Sequence, residues 1–129
     1  MKILDATFLI DYLDGVESTR EYLLEHDREV YVLPVPAYTE ALLGEGNGPE
    51  GNIEGAREDL SWGEVYAVDE QTAVTAAEIA DEMGPQDPFL SEMDALIAAI
   101  GRELDASVVS ADRHLTHEET KKVVDVEEY

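Results

Sequence analysis

The 129 residues predict a single α/β domain, a three-layer α/β/α sandwich around a central, mostly parallel sheet. Three observations carry that expectation. Short β-branched runs alternate with amphipathic segments along the whole chain. No Asn-Gly or similar turn pair joins two strand runs, so crossovers rather than hairpins must connect the strands, and crossovers are what parallel pairing requires. The length suits one hydrophobic core and leaves no room for a second. Helices on both faces then follow, because a parallel sheet buries both of its sides.

Met1–Leu4 reads as a buried strand closed by Asp5, and Thr7–Leu13 as a helix whose apolar face holds Phe8, Leu9, Tyr12 and Leu13. Asp14-Gly15 breaks it, and Glu17–His26 forms a second helix with Tyr22, Leu23 and Leu24. The run Glu29–Leu33 is β-branched and aromatic, hence a strand. Pro34 and Pro36 end it, and Pro36 suits the first turn of a helix over Ala37–Leu43, which carries Glu40. Residues 44–55 are glycine-rich and predict a flexible loop; a phosphate-cradling loop is a poor fit, since the Gly-Lys-Ser/Thr ending is missing. A helix over Ala56–Trp62 and a strand over Val65–Val68 follow, with Trp62 read as core.

Glu70–Met83 places Ala73, Ala76, Ala77, Ala80 and Met83 at helical spacing. Residues 84–88 (G-P-Q-D-P) make a turn. Ser91–Leu104 has the clearest stripe in the chain: Met93, Leu96, Ile97, Ile100 and Leu104. Ser107–Ser110 reads as a strand, Asp112–Thr116 as a short helix and Val123–Val126 as a last strand. There is no internal repeat.

Charge sets this chain apart. Asp and Glu number 31 against 8 Lys plus Arg, a net of -23. In ordinary salt such a surface repels polyphosphates. At molar salt the Debye length falls to about 3 Å, which removes the long-range repulsion. The acids run along the whole chain rather than forming a tail, so the pattern predicts a salt-adapted, halophilic protein. No apolar run approaches the roughly 20 residues of a membrane span, and no signal-peptide pattern opens the chain. Cysteine is absent, which excludes thiolate chemistry. A cytoplasmic location is the expectation.

Sites in parallel α/β sheets form where loops leave the carboxyl ends of the strands. Asp5 ends the first strand, Glu40 lies a turn into the helix after the second, Asp94 opens the striped helix and Asp112 follows Val108-Val109-Ser110. Oxygen-only donors suit a hard divalent ion, Mg²⁺ or Mn²⁺. Such an ion can activate water against a phosphodiester. Ala37, Ala41 and Gly44 around Glu40 would leave room for bound water, and an unpaired acid among such small apolar residues would otherwise be costly. Each acid also has a structural reading. Asp5 and Asp112 suit helix caps, and Ser91-Glu92-Met93-Asp94 has the form of a capping box.

These segments resemble one known family, the PIN-domain nucleases, and among them the VapC-type toxins of toxin–antitoxin pairs. The opening I-L-D-A-T-F-L-I-D-Y-L is similar to the family's strand–Asp–helix start, P-V-P-A-Y-T-E-A-L-L-G to the segment with its second acid, D-A-L-I-A-A-I-G to that with its third, and V-V-S-A-D-R-H-L to that with its last. The resemblance implies that Asp5, Glu40, Asp94 and Asp112 are both metal ligands and catalytic residues for Mg²⁺- or Mn²⁺-dependent endonucleolytic cleavage of RNA. It also implies a homodimer and an antitoxin that blocks the cleft. Ser110 stands where the family often has Thr or Ser. Ala6 stands where a hydroxyl residue often follows the first Asp, with Thr7 next.

Thr7, Ser110, Asp11 and Arg113 are secondary candidates for the site. Arg102 and Arg113 could each meet a phosphate or a surface carboxylate. His26, His114 and His117 read as surface residues, since no third zinc ligand is apparent. Tyr22 and Leu23 are candidates for a dimer surface. A haloacid-dehalogenase-like phosphatase needs a second acid two residues after the first, where Thr7 stands, and a receiver domain needs an acidic pair and a late Lys in another setting. The alternatives that remain are a catalytically silent PIN-like binding module and a housekeeping RNA-processing nuclease.

Overall fold

A computed structural model describes residues 1–129. Its sheet has five strands, β1 (Lys2–Leu4), β2 (Tyr31–Pro34), β3 (Glu64–Tyr66), β4 (Ser107–Val109) and β5 (Val126–Glu127), in the order β3-β2-β1-β4-β5. Every pairing is parallel. The helices are α1 (Ala6–Leu13), α2 (Glu17–Glu25), α3 (Val35–Gly46), α4 (Ile53–Asp59), α5 (Glu70–Met83), α6 (Glu92–Glu103) and α7 (Glu118–Lys121).

The chain steps from β1 to β2 and β3 on one side, then returns to β4 and β5 on the other. Right-handed crossovers run in opposite directions place helices on both faces, which gives the α/β/α sandwich. They also make the β1–β4 boundary the point where the strand order reverses, the usual place for a site. β1 is central and its Ile3 and Leu4 are fully buried, as are Leu33 on β2 and Val108 and Val109 on β4. Phe8 and Leu9 of α1 and Ile97 and Ile100 of α6 close the core over them. Of the stripe read on α6, Ile97 and Ile100 are buried in this core, while Met93, Leu96 and Leu104 are only partly covered.

Several boundaries move. α3 runs on through Gly46, its C-cap amide at Asn47 bonding the Leu43 carbonyl at 2.9 Å, so the glycine-rich connection shrinks to residues 47–52. That connection folds tightly against α3. A Cβ on Gly51 would stand 2.0 Å from the Glu45 carbonyl oxygen, so only glycine fits there. Asn52 then caps α4, its side chain accepting from the Gly55 amide at 2.9 Å.

The short helix expected over residues 112–116 is a turn instead, and the helix forms later as α7, capped by His117. The last strand forms at Val126–Glu127 rather than Val123–Val126, because the Val123 and Val124 amides bond back to the Thr120 carbonyl.

Tyr22 corrects the proposed dimer surface. It is only 5% exposed, its ring meets Phe8 edge-on at 5.8 Å, and its hydroxyl donates to Glu127 at 2.9 Å. Lys2 bonds the other oxygen of Glu127, so Tyr22 helps to anchor β5. Leu24, the neighbour that does face solvent, is 77% exposed. Trp62 packs as core, its ring edge-on to Tyr12 at 5.1 Å and to Tyr31 at 5.7 Å.

Tyr22→Phe keeps the ring and deletes the bond to Glu127, whose contact with Lys2 remains. The expected cost is about 1–2 kcal/mol, read as a lower urea midpoint at unchanged slope.

Candidate metal centre

Because all five strands are parallel, their carboxyl ends share one edge, and the chain leaves that edge at Asp5 after β1, directly into α3 after β2, and at Ser110 after β4. A concavity of 240 Å³ opens there. Asp5, Ala6, Thr7, Ile10, Glu40, Ser91, Met93, Asp94 and Asp112 line it. At roughly 30 Å³ per water it accommodates a hydrated ion of Mg²⁺ size.

Asp5 lies deepest, 2% exposed. It precedes α1 but makes no side-chain cap bond. Its Oδ2 instead accepts from the Ser110 hydroxyl at 2.7 Å and the Thr7 hydroxyl at 3.1 Å. Those hydroxyls in turn accept from backbone amides, Ser110 from Asp112 at 2.9 Å and Thr7 from Ala111 at 3.0 Å. Both hydroxyl bonds fall on Oδ2, and neither engages Oδ1. Burial pushes the Asp5 carboxyl upward, and the Ser110 hydroxyl, the Ala6 backbone amide and the Thr7 hydroxyl pull it only part of the way back.

Asp94 enters from the first turn of α6. Ser91 caps that helix, its hydroxyl accepting from the Asp94 amide at 3.1 Å. The carboxylate faces Asp112 and Asp5. Burial, then repulsion from those two acids, pushes its pKa up to about 6 from an ordinary 3.8.

Asp112 caps the turn after β4 and also lines the concavity. Its Oδ1 accepts from the amides of His114 at 2.8 Å and Leu115 at 3.1 Å. Glu40 corrects one expectation. Ala37 and Ala41 are buried beneath it, but Glu40 itself is exposed at the rim, so its charge is hydrated rather than stranded among small apolar residues.

Of the secondary candidates, Thr7 and Ser110 are the two hydroxyls that hold Asp5. Asp11 does not line the concavity; it accepts from the Tyr129 hydroxyl at 2.6 Å and ties down the end of the chain. Arg113 is exposed and makes no ion pair, as is true of Arg20 and Arg28. Arg102 is committed elsewhere, to Glu82 and the Val123 carbonyl.

Reading the histidines as surface residues misplaced His114. It is half-buried, and one ring nitrogen, one Asp94 oxygen and one Asp112 oxygen all lie within 4.8 Å of one another. The signal available in the sequence was the Asp112-x-His114 spacing directly after a strand. The third partner, Asp94, comes from a different element, so spacing could not show it.

The donor set fits a divalent ion. Carboxylates whose mutual repulsion and burial disfavour ionisation are relieved when a cation joins them. Asp5, Asp94 and Asp112 would present the oxygens, and Glu40 lines the same concavity at its exposed rim.

The PIN domain family model matches residues 2–121. No curated protein matches the chain. Among solved structures, a chain in the structure of VapBC2 from Rickettsia felis bound to a DNA fragment from their promoter aligns over 99% of this chain and 98% of its own, with a TM-score of 0.78 and 15% identity. A chain of a toxin–antitoxin complex from Klebsiella pneumoniae aligns over 92% of each, with a TM-score of 0.76 and 16% identity. A chain of FitAcB from Neisseria gonorrhoeae aligns over 98% of this chain and 96% of its own, with a TM-score of 0.76 and 21% identity. At these identities the likeness is one of fold.

The raised Asp94 pKa makes a signed prediction. A carboxyl held above its unfolded value keeps a proton in the folded state that the unfolded chain has already lost, so stability falls as pH rises from about 4 to about 6. Without metal, Asp94→Asn should therefore melt at a higher temperature than wild type at about pH 7, with a flatter pH profile. Added Mn²⁺ should raise the wild-type melting temperature and leave that of the variant nearly unmoved. A metal-free variant less stable than wild type at that pH would contradict the repulsion account.

Proposed function

The chain belongs to the PIN-domain family, and on that footing we propose that it is a metal-dependent endoribonuclease, the toxin of a toxin–antitoxin pair. The observation that carries this reading is the convergence of four carboxylates from four separate segments on one concavity at the strand-reversal edge. A silent binding module has no use for such a cluster, whose repulsion costs stability. In this reading Asp5, Glu40, Asp94 and Asp112 are the metal and catalytic residues.

The bound ion, Mg²⁺ or Mn²⁺, supplies charge neutralisation at the phosphate and lowers the pKa of its water. The protein's part is to hold its ligands still. Asp5 is fixed by two hydroxyls, Asp112 by two amides and Asp94 by the capped first turn of α6. Glu40, exposed and hydrated, is the acid suited to take the proton from the attacking water. Arg113 follows Asp112 and makes no ion pair with a carboxylate, which supports assigning it to an RNA phosphate.

An antitoxin is the proposed protein partner, supported by the toxin–antitoxin complex among the similar structures. A homodimer is proposed as the working unit. No helix is long and apolar enough to cross a membrane, and a cytoplasmic, salt-adapted setting is proposed from the charge of -23. At that charge RNA binding requires screening, so activity should rise with KCl toward molar concentration, the reverse of the usual salt dependence.

The direct test is cleavage of RNA in molar KCl with Mn²⁺. Asp94→Asn and Glu40→Gln should each lose more than the roughly 10–100-fold that removal of an outer metal partner costs. Arg113→Ala should weaken substrate binding with a smaller effect on turnover. Absence of both metal binding and cleavage in wild type would leave the binding-module reading standing, and cleavage without a neighbouring antitoxin gene would favour a housekeeping nuclease.

A further inference from the structure

The three histidines differ in what their rings do. His26 Nδ1 lies 2.8 Å from the Tyr22 carbonyl and its ring stacks on Tyr22. His117 Nδ1 accepts from the Glu119 amide at 3.1 Å, capping α7. The His114 ring has no hydrogen-bond partner in the protein, yet its main chain is held on both sides. Its amide donates to Asp112 Oδ1 at 2.8 Å, and its carbonyl accepts from the Thr120 hydroxyl at 2.6 Å. Thr120 is fully buried. A half-buried imidazole on a backbone fixed this firmly has a defined position and an unassigned ring.

The distances restrict what that ring can do. One ring nitrogen and one oxygen each from Asp94 and Asp112 lie within 4.8 Å of one another. No His114 nitrogen comes within 4.0 Å of a carboxylate oxygen, so the ring is neither hydrogen-bonded to these acids nor paired with them as an imidazolium. Such a separation is too long for direct bonding. It is close to the span of two donors on opposite sides of one ion, about 4.2 Å for bonds of about 2.1 Å.

We propose that His114 is a nitrogen ligand of the metal centre, joining Asp94 and Asp112, and that it biases the site toward Mn²⁺ over Mg²⁺. The inference rests on the reading of the acidic concavity as a divalent-ion site and adds a residue and a selectivity to it. Imidazole is a softer donor than carboxylate. It binds first-row transition ions well and contributes little to Mg²⁺, which favours oxygen. A mixed set of carboxylates and one imidazole therefore separates two ions that an all-carboxylate set would treat more alike. The Asp112-x-His114 turn is what brings the nitrogen in, since the Asp112 carboxylate caps the segment that carries the ring.

The test uses the full chain in molar KCl with MnCl₂ or MgCl₂ as the probe. Pulsed electron paramagnetic resonance of bound Mn²⁺ should show ¹⁴N coupling in wild type and in His117→Ala, and none in His114→Ala. Titration calorimetry should show Mn²⁺ affinity falling roughly tenfold or more in His114→Ala, with Mg²⁺ affinity changed by less than about threefold. The main-chain bonds at residue 114 survive the substitution, and a matching melting temperature without metal confirms that the fold does. Mn²⁺ that binds wild type, depends on Asp94 and yet shows no ¹⁴N coupling overturns the role of His114 while the acidic metal centre stands. A wild-type protein that binds neither ion overturns both readings.

Discussion

A carboxylate buried at the reversal point of the sheet is the constraint around which this edge of the molecule is arranged. Asp5 is 2% exposed, and an ionised acid at that depth needs donors that the apolar core cannot supply. Thr7 and Ser110 supply them. Each hydroxyl has a single proton, and both protons go to Asp5 Oδ2, which frees the hydroxyl lone pairs to accept the Ala111 and Asp112 amides. One oxygen thereby ties the end of β1, the first turn of α1 and the chain leaving β4 into one unit. The Asp5 amide adds a backbone bond to Val109 at 3.1 Å. The rest of the site is positioned from this unit, because Asp112 begins two residues beyond the hydroxyl that bonds Asp5.

The other acids are held with progressively less burial. Asp94 is partly buried and strongly perturbed, Asp112 is half-buried with one oxygen engaged by amides, and Glu40 is exposed. This gradient suits the proposed centre, in which the inner carboxylates would hold an ion while the outer one stays hydrated. It also separates the acids of the concavity from the general surplus. Elsewhere most carboxylates are exposed, and five of the eight cations pair with carboxylates, contacts worth little individually where exposed.

The fold was largely legible in the sequence. Strand–helix alternation, the stripe of Ile97 and Ile100 and the β-branched runs at Tyr31–Pro34 and Ser107–Val109 report local burial, and the structure places these segments in the core. Local pattern and structure part where the pattern is weak or is overridden by tertiary contacts. Gly44 and Gly46 look like loop residues but continue α3, because a helix already nucleated adds a turn at little cost. Residues 112–116 look like a capped helix but close only one turn, the Thr116 amide on the Asp112 carbonyl, after which the His114 carbonyl goes to the Thr120 hydroxyl instead of a helical amide. Tyr22 looked exposed because the strand that covers it comes from the far end of the chain.

By itself the sequence determined the class of fold, the four acids as candidates and the placement of three of them after strand runs. These follow from periodicity and residue type, which are local properties. Only the tertiary structure decided that the four line one concavity, that Asp5 is buried while Glu40 is hydrated, that Asp11 belongs to Tyr129, and that His114 stands with Asp94 and Asp112. Those outcomes depend on distances between residues far apart in the chain, fixed by the order of five parallel strands and by a few side-chain hydrogen bonds that no local pattern encodes.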